Sequence, residues 1–180
     1  MSKILNLALS CIFLYSCKST NIKTELPQDA GFDSITKTLS SKYPDHNILT
    51  LSMLANGVEN YFKKEYPNDK PGLICGFIRN KIEKGCVVAL AKKLGTIYNT
   101  DFIVFVSDNG STEVLEDFSK DKEKRDHIFI TRVKESDIIQ DKNAPDFEQL
   151  KSGIKRVAYQ QSVVIYYWEN LRAKKLWIED

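Results

Sequence analysis

A chain of 180 residues, 42% hydrophobic and 28% charged, is long enough to bury one substantial core and short for two. Its 26 basic and 24 acidic residues are scattered along the chain to a net charge of +2, the pattern of an ordinary solvated surface. That balance excludes a nucleic-acid partner read from composition. The densest charge run, SKDKEKRD from Ser119 to Asp126, mixes both signs between two apolar segments and reads as a loop or an exposed helix end.

The first seventeen residues, MSKILNLALSCIFLYSC, place Lys3 before an apolar run from Ile4 to Tyr15, followed by Ser16 and Cys17. This is signal-peptide grammar, and the run is too short to span a bilayer, which takes on the order of 20 apolar residues. Leu14, Tyr15, Ser16 and Cys17 resemble the lipobox of bacterial lipoproteins, with Leu three places before the cysteine and a small residue just before it. Tyr15 departs from the small or β-branched residue usual in that family. The resemblance implies diacylglyceryl attachment to the Cys17 sulfur, cleavage after Ser16, and a membrane partnership through the lipid. Each buried methylene of the acyl chains would contribute about 0.8 kcal/mol. Lys18, where an Asp would favour inner-membrane retention, points to the outer membrane of a Gram-negative envelope. Residues 1–16 are therefore expected to be the signal, 17–31 a lipidated tether containing Pro27 and Gly31, and 32–180 a single α/β domain.

Within that domain, residues 32–42 are expected to hold a short helix. From Ile48 to Tyr66, Leu51, Leu54, Ala55, Val58, Tyr61 and Phe62 recur at helical spacing up to Pro67, and PNDKPG then marks a turn. LICGFI (73–78) reads as a buried strand. CVVALAKKLGTIY (86–98) reads as a helix, with Val87, Leu90, Ala91, Leu94 and Tyr98 along one side. DFIVFVS (101–107) is a strand. STEVLEDFSK (111–120) is predicted to be a helix with Ser111 as its cap, after a strand-to-helix turn at Asp108, Asn109 and Gly110. HIFITRV (127–133) is a strand and PDFEQLKSGIK (145–155) has helical spacing. SVVIYYW (162–168) and KKLWIE (174–179), separated by the polar ENLRA, suggest a terminal hairpin. Strands alternating with helices argue for an α/β sandwich with a parallel component.

This order, over roughly residues 70–180, resembles the thioredoxin-like fold and is similar to the envelope lipoproteins that carry such domains. The resemblance implies a three-layer sandwich with a central mixed sheet ending in a β-hairpin. It also sets Glu83, Lys84, Gly85 and Cys86 on the family's Cys-x-x-Cys, so that Glu83 replaces the nucleophilic cysteine. The family's cis-proline is missing, because Gln161 and Ser162 occupy that region. Dithiol exchange needs an attacking thiolate, a role that a carboxylate cannot take.

With Cys11 leaving in the signal and Cys17 lipidated, only Cys75 and Cys86 remain. Cys86 at a helix N-terminus beside Lys84 would have a depressed pKa, which makes it the candidate catalytic thiol. Alternatively the two are buried inert thiols, or a disulfide formed in an oxidising compartment. His46 and His127 lack metal-ligand spacing, the Asp108–Gly110 oxygens do not continue as a calcium loop, and no phosphate loop or serine elbow is present. No metal or cofactor is therefore expected. Tyr166 and Trp168 share one face of a strand and Tyr167 the other, so one face packs in the core and the other offers a surface to an envelope protein partner. The resulting expectation is a lipid-anchored envelope protein whose domain serves in binding or assembly. The alternative is a single-cysteine redox or peroxidatic enzyme that uses Cys86.

Overall fold

A computed structural model describes residues 28–79, 83–121, 125–138, 147–169 and 172–178. The signal segment and Cys17 lie outside the described residues, as do the middle of the 119–126 charge run and the first two residues of the predicted 145–155 helix. Helix α1 spans Gln28–Lys42 and strand β1 Asn47–Ile48. A 3-10 turn at Leu51–Met53 precedes helix α2, Asn56–Glu65. The expected single helix from Ile48 to Tyr66 is thus broken at Leu54 and Ala55, both extended, and only its second half buries a helical face, through Val58 and Phe62.

The four strands that follow form one antiparallel run: β2 Leu73–Arg79, β3 Glu83–Leu94, β4 Ile97–Ser107 and β5 Thr112–Asp117. Strand β4 lines one edge of β3 from Gly85 to Leu94, and β2 and β1 share the other edge end to end. A second sheet runs in order through β6 Ile128–Arg132, β7 Ile154–Ala158, β8 Ser162–Glu169 and β9 Arg172–Ile178. Helix α3, Phe147–Lys151, sits before β7. Every pairing between these strands is antiparallel.

Two antiparallel sheets overturn the expected thioredoxin-like α/β sandwich with its mixed central sheet. The error lies in three segments. The run from Cys86 is the middle of β3, buried on both faces: Val87, Ala89 and Ala91 join the core between the sheets, while Cys86, Val88 and Leu90 pack beneath α1. A strand covered on both sides reads as a continuous apolar run, and periodicity alone does not separate that from a helix. The expected helix at 111–120 is β5. Its supposed capping turn closes a hairpin, where the Ser111 N–H donates to Ser107 Oγ at 3.1 Å and to Asn109 Oδ1 at 2.9 Å. The end of the expected 145–155 helix is the start of β7, whose five residues are all buried.

The main core lies between the sheets. Ile103 and Phe105 of β4 face Val164, Tyr166 and Trp168 of β8, with the Phe105 and Trp168 rings 6.1 Å apart. Each such side chain contributes about 1.5–3 kcal/mol on burial. Phe129 and Val157 alternate along β6 and β7 with the inward residues and meet α2, the Phe62 and Phe129 rings standing edge to face at 5.1 Å. On the far face of the first sheet, Ile35 and Leu39 of α1 cover Val88, Val104 and Val106. Gly85 is required where β3 crosses β4, because a Cβ there would stand 2.3 Å from the Val106 carbonyl oxygen. Among the described residues no helix is long and apolar enough to cross a membrane.

Candidate functional site

Cys75 and Cys86 sit directly opposite each other on β2 and β3 and form a disulfide, with Cα atoms 4.1 Å apart. Just beyond it a bulge between Cys75 and Phe77 is served by Gly76 at φ 79°, a backbone conformation open to glycine. Cys86 is 5% exposed and lies mid-strand, so the helix terminus expected to activate its thiol does not exist at that place. Glu83 and Gly85 are strand residues of β3 as well, which removes the correspondence with a redox motif.

The aromatic residues of β8 divide by face. Tyr166 and Trp168 are buried in the core between the sheets, which rules them out as a partner surface, while Tyr167 on the other face is half-buried. An exposed aromatic residue is Trp177 on β9, with the Arg156 guanidinium 5.4 Å from its ring.

Two buried ion clusters pin the fold. Between the sheets, Glu116 of β5 accepts hydrogen bonds from the Tyr166 hydroxyl and from Lys175, the latter at 2.8 Å, with Arg156 Nε 3.5 Å away. Burial and the Glu116 carboxylate push the Tyr166 hydroxyl well up, so it remains a proton donor. On β4, two residues from the Ile103 that pairs with Glu116, Asp101 receives Arg125 at 2.8 Å and faces His46 Nε2 at 3.1 Å. The other ring nitrogen of His46 is buried without a partner, so neither nitrogen is presented to a substrate. Each cluster keeps a buried guanidinium nitrogen without a hydrogen bond, Arg156 Nε in the first and Arg125 Nε in the second. Among the described residues no three His, Cys, Asp or Glu side chains are grouped to hold a metal ion.

A third polar group differs because it opens into a cleft of about 320 Å³. The cleft forms where the end of α2 and the 3-10 turn Glu135–Asp137 lie against β7, β8 and β9. Lys155, one of two charged residues in the buried strand β7 beside Arg156, is 4% exposed at its side chain. Its ammonium donates to Asp137 Oδ1 at 2.6 Å and lies 4.9 Å from the Tyr66 ring centre. Lys134 stands 4.3 Å from the same ring and donates to the Glu65 carbonyl oxygen at 2.7 Å. The second Asp137 oxygen accepts the Lys134 backbone N–H at 2.6 Å. Tyr61, half-buried against Tyr66 and Tyr159, has its hydroxyl pKa pushed up to about 12, mainly by burial. Burial likewise raises Tyr66.

None of these cleft residues was a sequence candidate. Lys155 fell inside an expected helix, and Lys134, Tyr66 and Asp137 have no local motif. The one signal that bore on the site is the Lys155-Arg156 pair in GIKRVA, which puts two charges in a strand buried along its whole length.

Fold and site together define a disulfide-stapled sandwich of two antiparallel sheets with a lysine- and tyrosine-lined cleft on the second. Comparison with protein-family models, with curated proteins and with solved structures gave no match.

Proposed function

We propose that this chain is an exported, lipid-anchored cell-envelope protein that works by binding or assembly. The observation that carries the reading is the Cys75–Cys86 disulfide. Disulfides form and persist in oxidising compartments, so the bridge supports export. It also engages both cysteines left once Cys11 departs with the signal and Cys17 takes lipid. A buried sulfur tied in a disulfide has no thiolate to offer, which weighs against the single-cysteine enzyme that would use Cys86. The Leu14-Tyr15-Ser16-Cys17 ending supports acylation, and Lys18 favours the outer membrane in a Gram-negative source.

The test is expression of the full chain and of Cys17→Ala in a Gram-negative host, followed by fractionation and intact mass. The parent chain is expected in the membrane fraction with the added mass of its acyl chains, and the variant without that mass. A parent chain that carries no acyl groups sinks the anchoring. Peptide mapping without reduction addresses the binding half: a linked Cys75–Cys86 peptide is expected, whereas a free Cys86 thiol that alkylates rapidly at low pH would restore the redox enzyme.

A further inference from the structure

The cleft beside β9 contains more hydrogen-bond donors than its own acceptors satisfy. Each lysine ammonium has three N–H donors. Lys155 spends one on Asp137 and Lys134 one on the Glu65 carbonyl, which leaves the others on each facing an aromatic ring or the cleft. Both Asp137 oxygens are already in use. The Glu65 carboxylate also lines the cleft, beside the Lys64 ammonium at 3.6 Å. Lys134 and Lys155 thus stand against Asp137 and Glu65 with no surplus charge, and what the cleft lacks is acceptors for the remaining ammonium N–H groups. A nine-tenths buried ammonium with unfilled donors gains most from an anionic oxygen acceptor, since charge-assisted hydrogen bonds are roughly twice as strong as neutral ones.

We propose that this cleft binds the carboxylate of a small monoanionic organic acid. The carboxylate lies between Lys134 and Lys155, and the short carbon body rests on Val157, Val163 and Ile178, the apolar part of the lining. A volume of about 320 Å³ suits a ligand of metabolite size. A monoanion is favoured over a phosphate dianion, whose second charge would meet Glu65 and Asp137 without compensation. This assignment rests on the reading that the protein acts by binding and names the chemistry that its cleft accepts.

The experiment is an NMR titration of the isotope-labelled full chain in a non-ionic detergent with butyrate, butyramide and inorganic phosphate in turn. Butyrate is expected to give saturable shifts at the Tyr66, Lys155 and Ile178 amides, with butyramide and phosphate each at least tenfold weaker. Lys134→Gln, a change at an exposed side chain that leaves the core intact, is expected to weaken butyrate at least tenfold. Lys63→Gln on the outer face of α2 is expected to leave it unchanged. Equal binding of butyramide, tighter binding of phosphate, or an unaffected Lys134→Gln variant overturns the proposal. A chain that is acylated and disulfide-bonded yet shows no saturable shift overturns the cleft assignment and leaves the export reading standing.

Discussion

Strands β3 and β9 belong to the same sandwich and obey opposite rules. β3 is flanked along both edges and covered on both faces, and its residues from Cys86 to Ala91 are at most 5% exposed. β9 pairs only with β8 among the described residues, is half-buried at Ala173, Leu176 and Ile178 and exposed elsewhere, and leaves Trp177 60% exposed. Burial on two faces erases the polar half of the strand alternation, and exposure on one preserves it. The strand that organises the core is therefore the one whose residues look least like a strand. The lysines of β9 do the reverse: Lys174 and Lys175 make it read as a surface strand and discourage another chain from pairing with its edge.

One substitution made in both strands gives the largest contrast. Leu90→Ala in β3 removes a side chain 1% exposed between α1 and the sheet, and is expected to cost about 2–5 kcal/mol in urea unfolding. Leu176→Ala in β9, half-buried at an edge, is expected to cost about 1 kcal/mol, since deleting methyl groups already partly in water leaves little cavity. Similar losses at the two sites would break the comparison.

The disulfide comes next. It closes a loop between residues 11 apart and ties β2 to the edge of β3, a cross-link that β9 lacks. The paired change Cys75→Ala with Cys86→Ala is expected to lower stability by about 2–4 kcal/mol, mainly by enlarging the unfolded ensemble. Reduction of the parent chain should then move its urea midpoint toward that of the variant. An unmoved midpoint would mean that strand pairing alone holds this edge. Gly85→Ala, lower on the same strand, sets a Cβ against the Val106 carbonyl oxygen at 2.3 Å and is expected to cost about 1–3 kcal/mol by overpacking. Full stability of that variant would show that β3 and β4 can separate slightly, contrary to a rigid centre.

The same contrast explains which parts could be read in advance. The β4 run DFIVFVS is β-branched and aromatic enough to read as a strand although it is buried, and SVVIYYW and KKLWIE form the hairpin of β8 and β9. The second half of the 48–66 segment shows its helical face through Val58 and Phe62, four residues apart. β3, β5 and β7 were misread because Val87, Leu90 and Ala91, or Val114, Leu115 and Phe118, fall at spacings of one to four that either period accommodates. Once β3 was read as a helix, a fold with alternating helices and strands followed, and Cys86 acquired a helix terminus. The cleft was invisible for a different reason. Tyr66, Lys134, Asp137 and Lys155 come from separate segments, and only the packing of α2 and a 3-10 turn on the second sheet brings them together.

The smallest expected effect tests the edge itself. Trp177 lies across from Val164 on the inward side of β9, yet it projects beyond the cover of the first sheet and keeps one contact of note, the Arg156 guanidinium at 5.4 Å. An exposed cation–π contact contributes about 0.5–1 kcal/mol. Arg156 remains held without it, by Ser162 at 2.9 Å and by the Glu116 carboxylate. Trp177→Ala is therefore expected to cost at most about 1 kcal/mol, read as a small shift in the urea midpoint with an unchanged slope. A loss as large as that of Leu90→Ala would show that the indole closes the core between the sheets, and β9 would then have to be counted with β3 as part of the centre.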